Sequence, residues 1–285
     1  MTMPARARGD DVASTEQEGP KEMTAARNRL AIADLTTTLT TDFDLPTVLN
    51  AIAFDACRGY MAFSAVVGLL DDRDGDAELR VVAEALREPT DSDLAFVAVG
   101  PAFESARDGA VTMIPDLSQP RDTRWPDYRR EALRAGVYGM RAFPVTALGA
   151  RMGALVVHTD EPWGTARPND LGQTLANLTA LALSIAPHSD IRRSTTEDLV
   201  ASVLQGSAMI ATAIGIVAET LGATIDQARL TLNRLARAHG VTVSAHAAAV
   251  VAAYDRDPTA DLAAHELLST PPQLRPPTSI KSRGS

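Results

Sequence analysis

Three arginines in the last third of the chain, Arg229, Arg234 and Arg237, carry the chemistry that is simplest to state. Guanidinium groups that reach phosphate oxygens give affinity for nucleic acid and make that affinity fall with salt. Arg234 and Arg237 are three residues apart, so on a helix they share a face, with His239 near its end. The same spacing also describes an ordinary solvated face, and from Ser194 to Asp255 three arginines stand against five carboxylates (Glu197, Asp198, Glu219, Asp226 and Asp255). Elsewhere, Cys57 could sense redox state or attach a chromophore, but it lies in an amphipathic stretch beside Ala56 with no histidine near it in sequence, the setting of a buried structural thiol. His158 at a strand end could ligate haem or a metal, yet no second ligand accompanies it. The five histidines (His158, His188, His239, His246, His265) are scattered, and no phosphate loop, nucleophile elbow, His-Glu-x-x-His pair or cysteine pair is present. The expectation is a protein that is not an enzyme, with no catalytic residues and no metal site, whose sequence names no cofactor.

The arginines must be placed by helices. Ser194-Thr-Thr-Glu197 and Thr224-Ile-Asp-Gln227 both have the form of a capping box, in which hydroxyl and carboxylate or amide satisfy first-turn amides. The first predicts a helix from near Thr195, with Val203, Ile210, Ile214, Val217 and Leu221 on one stripe and Gly222 as its stop. The second opens a helix with Ile225, Ala228, Leu232 and Leu235 inward and Gly240 at its end. Thr242 or Ser244 can cap a third, burying Val243, Ala247, Val250, Val251 and Tyr254. Tyr254 is the sole aromatic residue there, so ring stacking on bases has little to offer.

Upstream the pattern alternates. Helices are expected over 28–41 and 46–59, and strands over 63–70 and 79–86 around an Asp-Gly turn. A short helix over 101–107 precedes a strand over 111–114, and a helix over 125–135 precedes two strands, 140–146 and 152–159, joined through Leu148-Gly149. A long helix over 169–185 closes the region. Hairpin-joined strands with helices at either end describe an α+β domain with an antiparallel sheet. Pro187 cannot donate an amide to a continuing helix, so 187–193 is expected to be a hinge.

The 285 residues allow about two domains plus tails. A net charge of −9 excludes a broadly basic surface, so a nucleic-acid site must be local. One cysteine excludes an internal disulfide framework and fits a reducing cytoplasm. No window is expected to reach the roughly 18 apolar residues of a membrane span, so no membrane partner is expected and the chain reads as cytoplasmic. Residues 1–24 read as a disordered tail, 25–186 as one domain, 187–193 as linker, 194–255 as a helical module, and 256–285 as a flexible tail that holds a possible short helix over 259–268 and ends in basic Lys281 and Arg283.

Through Ile210, Ala213, Gly215, Ile216, Gly222, Ala228, Leu232, Ala236 and Ala247 the helical module resembles the ANTAR family, the RNA-binding output module of bacterial transcription antiterminators. The resemblance implies a dimer that binds paired RNA hairpins, with Arg229, Arg234 and Arg237 as the RNA-contacting candidates. It departs from the pattern at Ile214, where the family usually has Lys, and at Asn233 and Ser207, where it usually has Arg. The front region is similar to GAF sensory domains, as found in actinobacterial proteins, through Asp116-Leu117, Asp122-x-Arg124-Trp125-Pro126-x-Tyr128, Gly136, Phe143-Pro144-Val145 and Gly153-Ala154-Leu155. That likeness implies a pocket between sheet and helices for a small-molecule ligand it does not name, and pairing through the first and last helices. Together the two resemblances imply a signal-responsive RNA-binding antiterminator, working as a homodimer. The alternative is a GAF-type ligand sensor whose degenerate ANTAR-like bundle serves dimerisation or protein docking without RNA.

Overall fold

The computed structural model describes residues 12–72, 77–88, 95–119, 124–165, 167, 169–186, 196–256 and 265–269. The expected hinge at 187–193, the Ser194 cap, Asp122 and the basic end lie outside the described residues. Two compact units divide the chain, Met1–Gln205 and Gly206–Ser285.

The first unit is built on a five-stranded sheet in the order β2-β1-β5-β4-β3, with every pairing antiparallel. Its strands are β1 (Ser64–Asp71), β2 (Glu78–Leu86), β3 (Thr112–Ile114), β4 (Gly139–Ala147) and β5 (Ala150–Thr159). Leu148 and Gly149, with φ of 51° and 83°, make the two-residue turn whose left-handed conformations match the twist of β4 and β5. Gly153 has no freedom to be anything else: a Cβ there would stand 1.9 Å from the Gly68 carbonyl oxygen on β1. The hairpin expected at Leu148-Gly149 and the antiparallel α+β class are both present.

Alternation along the strands sends side chains to two layers. One layer holds Ala65, Val67, Leu69, Phe143, Val145, Leu155 and Val157 under α2 (Leu45–Tyr60) and α5 (Asn169–Ile185), on which α1 (Val12–Leu39) packs in turn. Helix α2 starts where Asp44 accepts the Thr47 amide at 3.1 Å, with Pro46 in its first turn, and stops where Met61 turns left-handed. Helix α1 begins at Val12, which corrects the expectation of a tail over 1–24. The helix runs through Gly19 and Pro20, both poor helix residues, so local propensity does not account for its extent. The other layer holds Val66, Met140, Ala142, Ala154 and Val156 under a 3-10 helix (Ala95–Ala98), α3 (Pro101–Asp108) and α4 (Pro126–Arg134). The first turns of α6 (Thr196–Leu221) add Leu199, Val200 and Val203 to the α1/α2/α5 layer.

The second unit holds the rest of α6, α7 (Ile225–His239), α8 (Val243–Arg256) and a 3-10 turn (Glu266–Leu268). Thr224 and Gln227 form the complete capping box, with bonds of 3.3 and 3.0 Å, and Gly240 ends α7 at φ 66°. Thr242 caps α8 by accepting the Ala245 amide at 3.2 Å. Ala213, Ile214, Ile216, Val217, Ala228, Leu232, Ala247 and Val250 form the core. Two expected core positions are corrected: Leu221 is 41% and Ile225 54% exposed. They flank the Gly222 turn, where the helix ends run past the contact that buries the stripe.

A further correction concerns the membrane. Asp198–Leu221 is long and apolar enough to span a bilayer by length and composition. Its apolar side chains are divided between two cores: Leu199, Val200 and Val203 in one unit, Ala213, Ile214, Ile216 and Val217 in the other. Ser202, Ser207 and Thr212 interrupt the run, so it is apolar on average without being unbroken.

Candidate functional site

The α3/α4 layer contains the first candidate. His158 on β5 points into it and is wholly buried, as its register partner on β1, Ser64, is. Ser64 Oγ and His158 Nδ1 are 3.1 Å apart. Whichever of the two donates, Nε2 is left with the complementary role, donor or acceptor, and it has no partner among the described residues. Above the imidazole stand Phe96, edge-on with ring centres 5.8 Å apart, and Tyr128, tilted at 6.4 Å; Phe96 and Tyr128 meet edge-on at 5.6 Å. The Tyr128 hydroxyl is likewise buried and has no partner among the described residues.

Burial pushes His158 down to about 3, so the ring is neutral at any ordinary pH, and burial raises the Tyr128 phenol, which stays protonated. The site is therefore uncharged. It offers one phenolic hydroxyl and one imidazole nitrogen inside a layer lined by Val66, Met140 and Val156. Neither group is poised for acid-base work near neutral pH.

The remaining candidates of the front unit sort by their contacts. Cys57 is buried on α2, its Sγ directed at the Ala62 carbonyl 3.4 Å away, and burial lifts its thiol to about 11, as suits a structural cysteine. Asp116 closes a turn by accepting from the Ser118 amide and hydroxyl and from Gln119. Trp125 donates its indole N–H to Glu104 at 2.7 Å, tying the start of α4 to α3. No group of three potential metal-ligating side chains occurs among the described residues.

In the second unit α7 brings the three arginines together. Arg229, Arg234 and Arg237 are all exposed, and none pairs with a carboxylate among the described residues. Leu230, 70% exposed, sits between them on the outward face. Ile214, which replaces the lysine of the resemblance, is only 6% exposed and belongs to the core, while Asn233 is half-buried. His239 stacks on the buried His246 with ring centres 5.1 Å apart, so it serves packing more than the arginine face.

No protein-family profile matches the chain, and no curated protein matches it. Solved structures similar to it include the chromophore-binding domain of an unusual bacteriophytochrome from R. palustris, at 16% identity and a TM-score of 0.45, over 59% of this chain and 64% of that one. The phycocyanobilin-bound GAF domain of a cyanobacterial phytochrome aligns at 17% identity and a TM-score of 0.44, over 59% of this chain and 98% of that one. The chromophore-binding domain of the Stigmatella aurantiaca bacteriophytochrome aligns at 15% identity and a TM-score of 0.41, over 56% and 60%. The chain thus spans less than two thirds of the length of the first and third of these.

Proposed function

We propose that the chain is a signal-responsive regulator of transcription: the sheet unit, acting as a GAF-like sensor, takes up a small uncharged molecule at His158 and Tyr128, and the helical unit, as an ANTAR-like homodimer, binds paired RNA hairpins. The observation that carries the sensing half is the pair of buried polar atoms, His158 Nε2 and Tyr128 Oη, without partners among the described residues of one layer. Leaving a buried hydrogen-bonding group without a partner costs about 1–3 kcal/mol, so two in contact-linked rings are what a site awaiting a hydrogen-bonding guest looks like. The RNA half is supported by the exposed arginine face of α7 and by the family spacing from Ile210 to Ala247. Two modules side by side gain affinity for two linked hairpins through effective concentration.

A second reading has a specific observation behind it. Leu230 at the centre of the arginine face, together with exposed Ile225 and Val241, gives the helical unit apolar surface of the kind that docks protein. In that reading the bundle dimerises or binds a partner without RNA. Binding of a double-hairpin RNA, measured by gel shift across a salt series, separates the two: the first reading requires an affinity that falls steeply with salt, the second requires none at low salt.

A further inference from the structure

The opposite face of the sheet carries an arginine that meets no acid among the described residues. Arg141 lies on β4 in the α1/α2/α5 layer, next to Phe143 in the alternation, and is only 8% exposed. A guanidinium taken out of water is ordinarily met by a carboxylate. Here it meets the Trp163 ring, whose centre is 4.7 Å from Cζ, and the Sδ of Met113, the register partner on edge strand β3, which accepts from Nη2. Its Nε is buried and has no partner among the described residues. The carboxylates that flank Trp163 in sequence are engaged elsewhere, Asp160 with Arg87 at 2.5 Å and Glu161 with Arg167. Burial lowers the affinity of Arg141 for its proton, and the nearby group that opposes this is the Tyr60 phenol, not an acid.

The edge made by Nε and Nη2 is the side of a guanidinium that carboxylates and phosphates grip with two parallel hydrogen bonds. Among the described residues that edge is met by nothing stronger than a thioether, a weak acceptor on a flexible side chain that is itself 42% exposed. We propose that Arg141 is the anchor of an oxyanion-binding site at the β3/β4 edge. A carboxylate or phosphate oxyanion takes the Nε–Nη2 edge, Met113 swings outward, and the indole of Trp163 holds the guanidinium plane in place. The site is separated from His158 and Tyr128 by the sheet itself, so it stands or falls independently of the sensing reading.

The two tryptophans supply an internal control, since Trp163 lies under Arg141 whereas Trp125 lies beside Glu104 and Arg124. The full-length chain, labelled with nitrogen-15, is titrated with sodium phosphate and, separately, sodium acetate against sodium chloride at equal ionic strength. The Trp163 indole resonance is expected to shift saturably with at least one of the two oxyanions while that of Trp125 stays in place; which salt acts distinguishes phosphate from carboxylate chemistry. Arg141→Gln abolishes the response, Arg141→Lys, which keeps the charge without the fork, weakens it at least tenfold, Met113→Ala preserves or tightens it, and Arg134→Gln on the surface leaves it unchanged. If Arg141→Gln does not fold, Arg141→Lys decides the matter. No saturable Trp163 shift with either oxyanion, or a shift of undiminished affinity in Arg141→Lys or Arg141→Gln, overturns the proposal.

Discussion

Ser64 Oγ and His158 Nδ1 face one another across the β1/β5 ladder at 3.1 Å, in register and fully buried. This one contact fixes the imidazole ring and turns its other nitrogen toward the α3/α4 layer, where none of the described residues bonds to it.

Because burial holds His158 neutral down to about pH 3, the unfolded chain binds a proton that the folded one refuses. The stability contributed by the neutral ring is fully present above about pH 6.5 and is lost as the pH falls from there toward 3, by a total of about 5 kcal/mol at roughly 1.4 kcal/mol per unit. Urea unfolding between pH 7.5 and 5 should show this decline, and His158→Phe should reduce it, leaving the part contributed by His246, which burial also lowers. An unchanged slope in the variant would show that His158 is protonated or hydrated in the fold.

Tyr128→Phe deletes a buried hydroxyl that has no partner among the described residues. In ligand-free protein the change should be neutral or stabilising by about 1 kcal/mol, since the desolvated group goes and the ring remains. Thermal unfolding checks this; a loss of more than about 1 kcal/mol would mean that the hydroxyl is already satisfied.

Gly153→Ala should destabilise the sheet unit severely, by about 3 kcal/mol or more, because the new methyl would meet the Gly68 carbonyl oxygen at 1.9 Å, backbone against backbone. Gly149→Ala meets nothing within 4 Å and carries only the strain of a left-handed φ, about 1 kcal/mol. Comparing the two in denaturant tests the register of β1 against β5, and equal costs would contradict it.

Cys57 should resist thiol reagents in the native state. With its thiol raised to about 11 and its sulfur facing the Ala62 carbonyl, labelling at pH 8 should proceed at the rate of local or global opening. Stoichiometric modification within the mixing time would restore a redox-sensing role.

Local chemistry is legible in the sequence. The Thr224 and Gln227 box, the Gly240 stop and the Leu148-Gly149 turn each depend on residues close together along the chain, and each stands where the spacing puts it. What the sequence hides is made by distance along the chain. Tyr128 and His158 are brought together by α4 and β5, and Arg141 meets Trp163 and Met113 through a strand pairing and a loop. The apolar stripes expected at the ends of α6 and α7 overrun because periodicity reports which way a side chain points, not whether a neighbour reaches it, as exposed Leu221 and Ile225 show. Glutamate, glutamine and alanine ahead of residue 25 are as common in solvated tails as in exposed helices, so composition alone does not reveal that α1 extends through them.

Whether the helical unit binds RNA is decided by a salt series of the full-length chain on a double-hairpin RNA. Binding should strengthen as salt is lowered, log affinity falling linearly with log salt, and Arg234→Ala with Arg237→Ala should weaken it and reduce the slope by roughly 1–2. A dimeric protein that binds no such RNA at low salt, or binds it equally well without the two arginines, would contradict RNA recognition and leave the helical unit as a docking module.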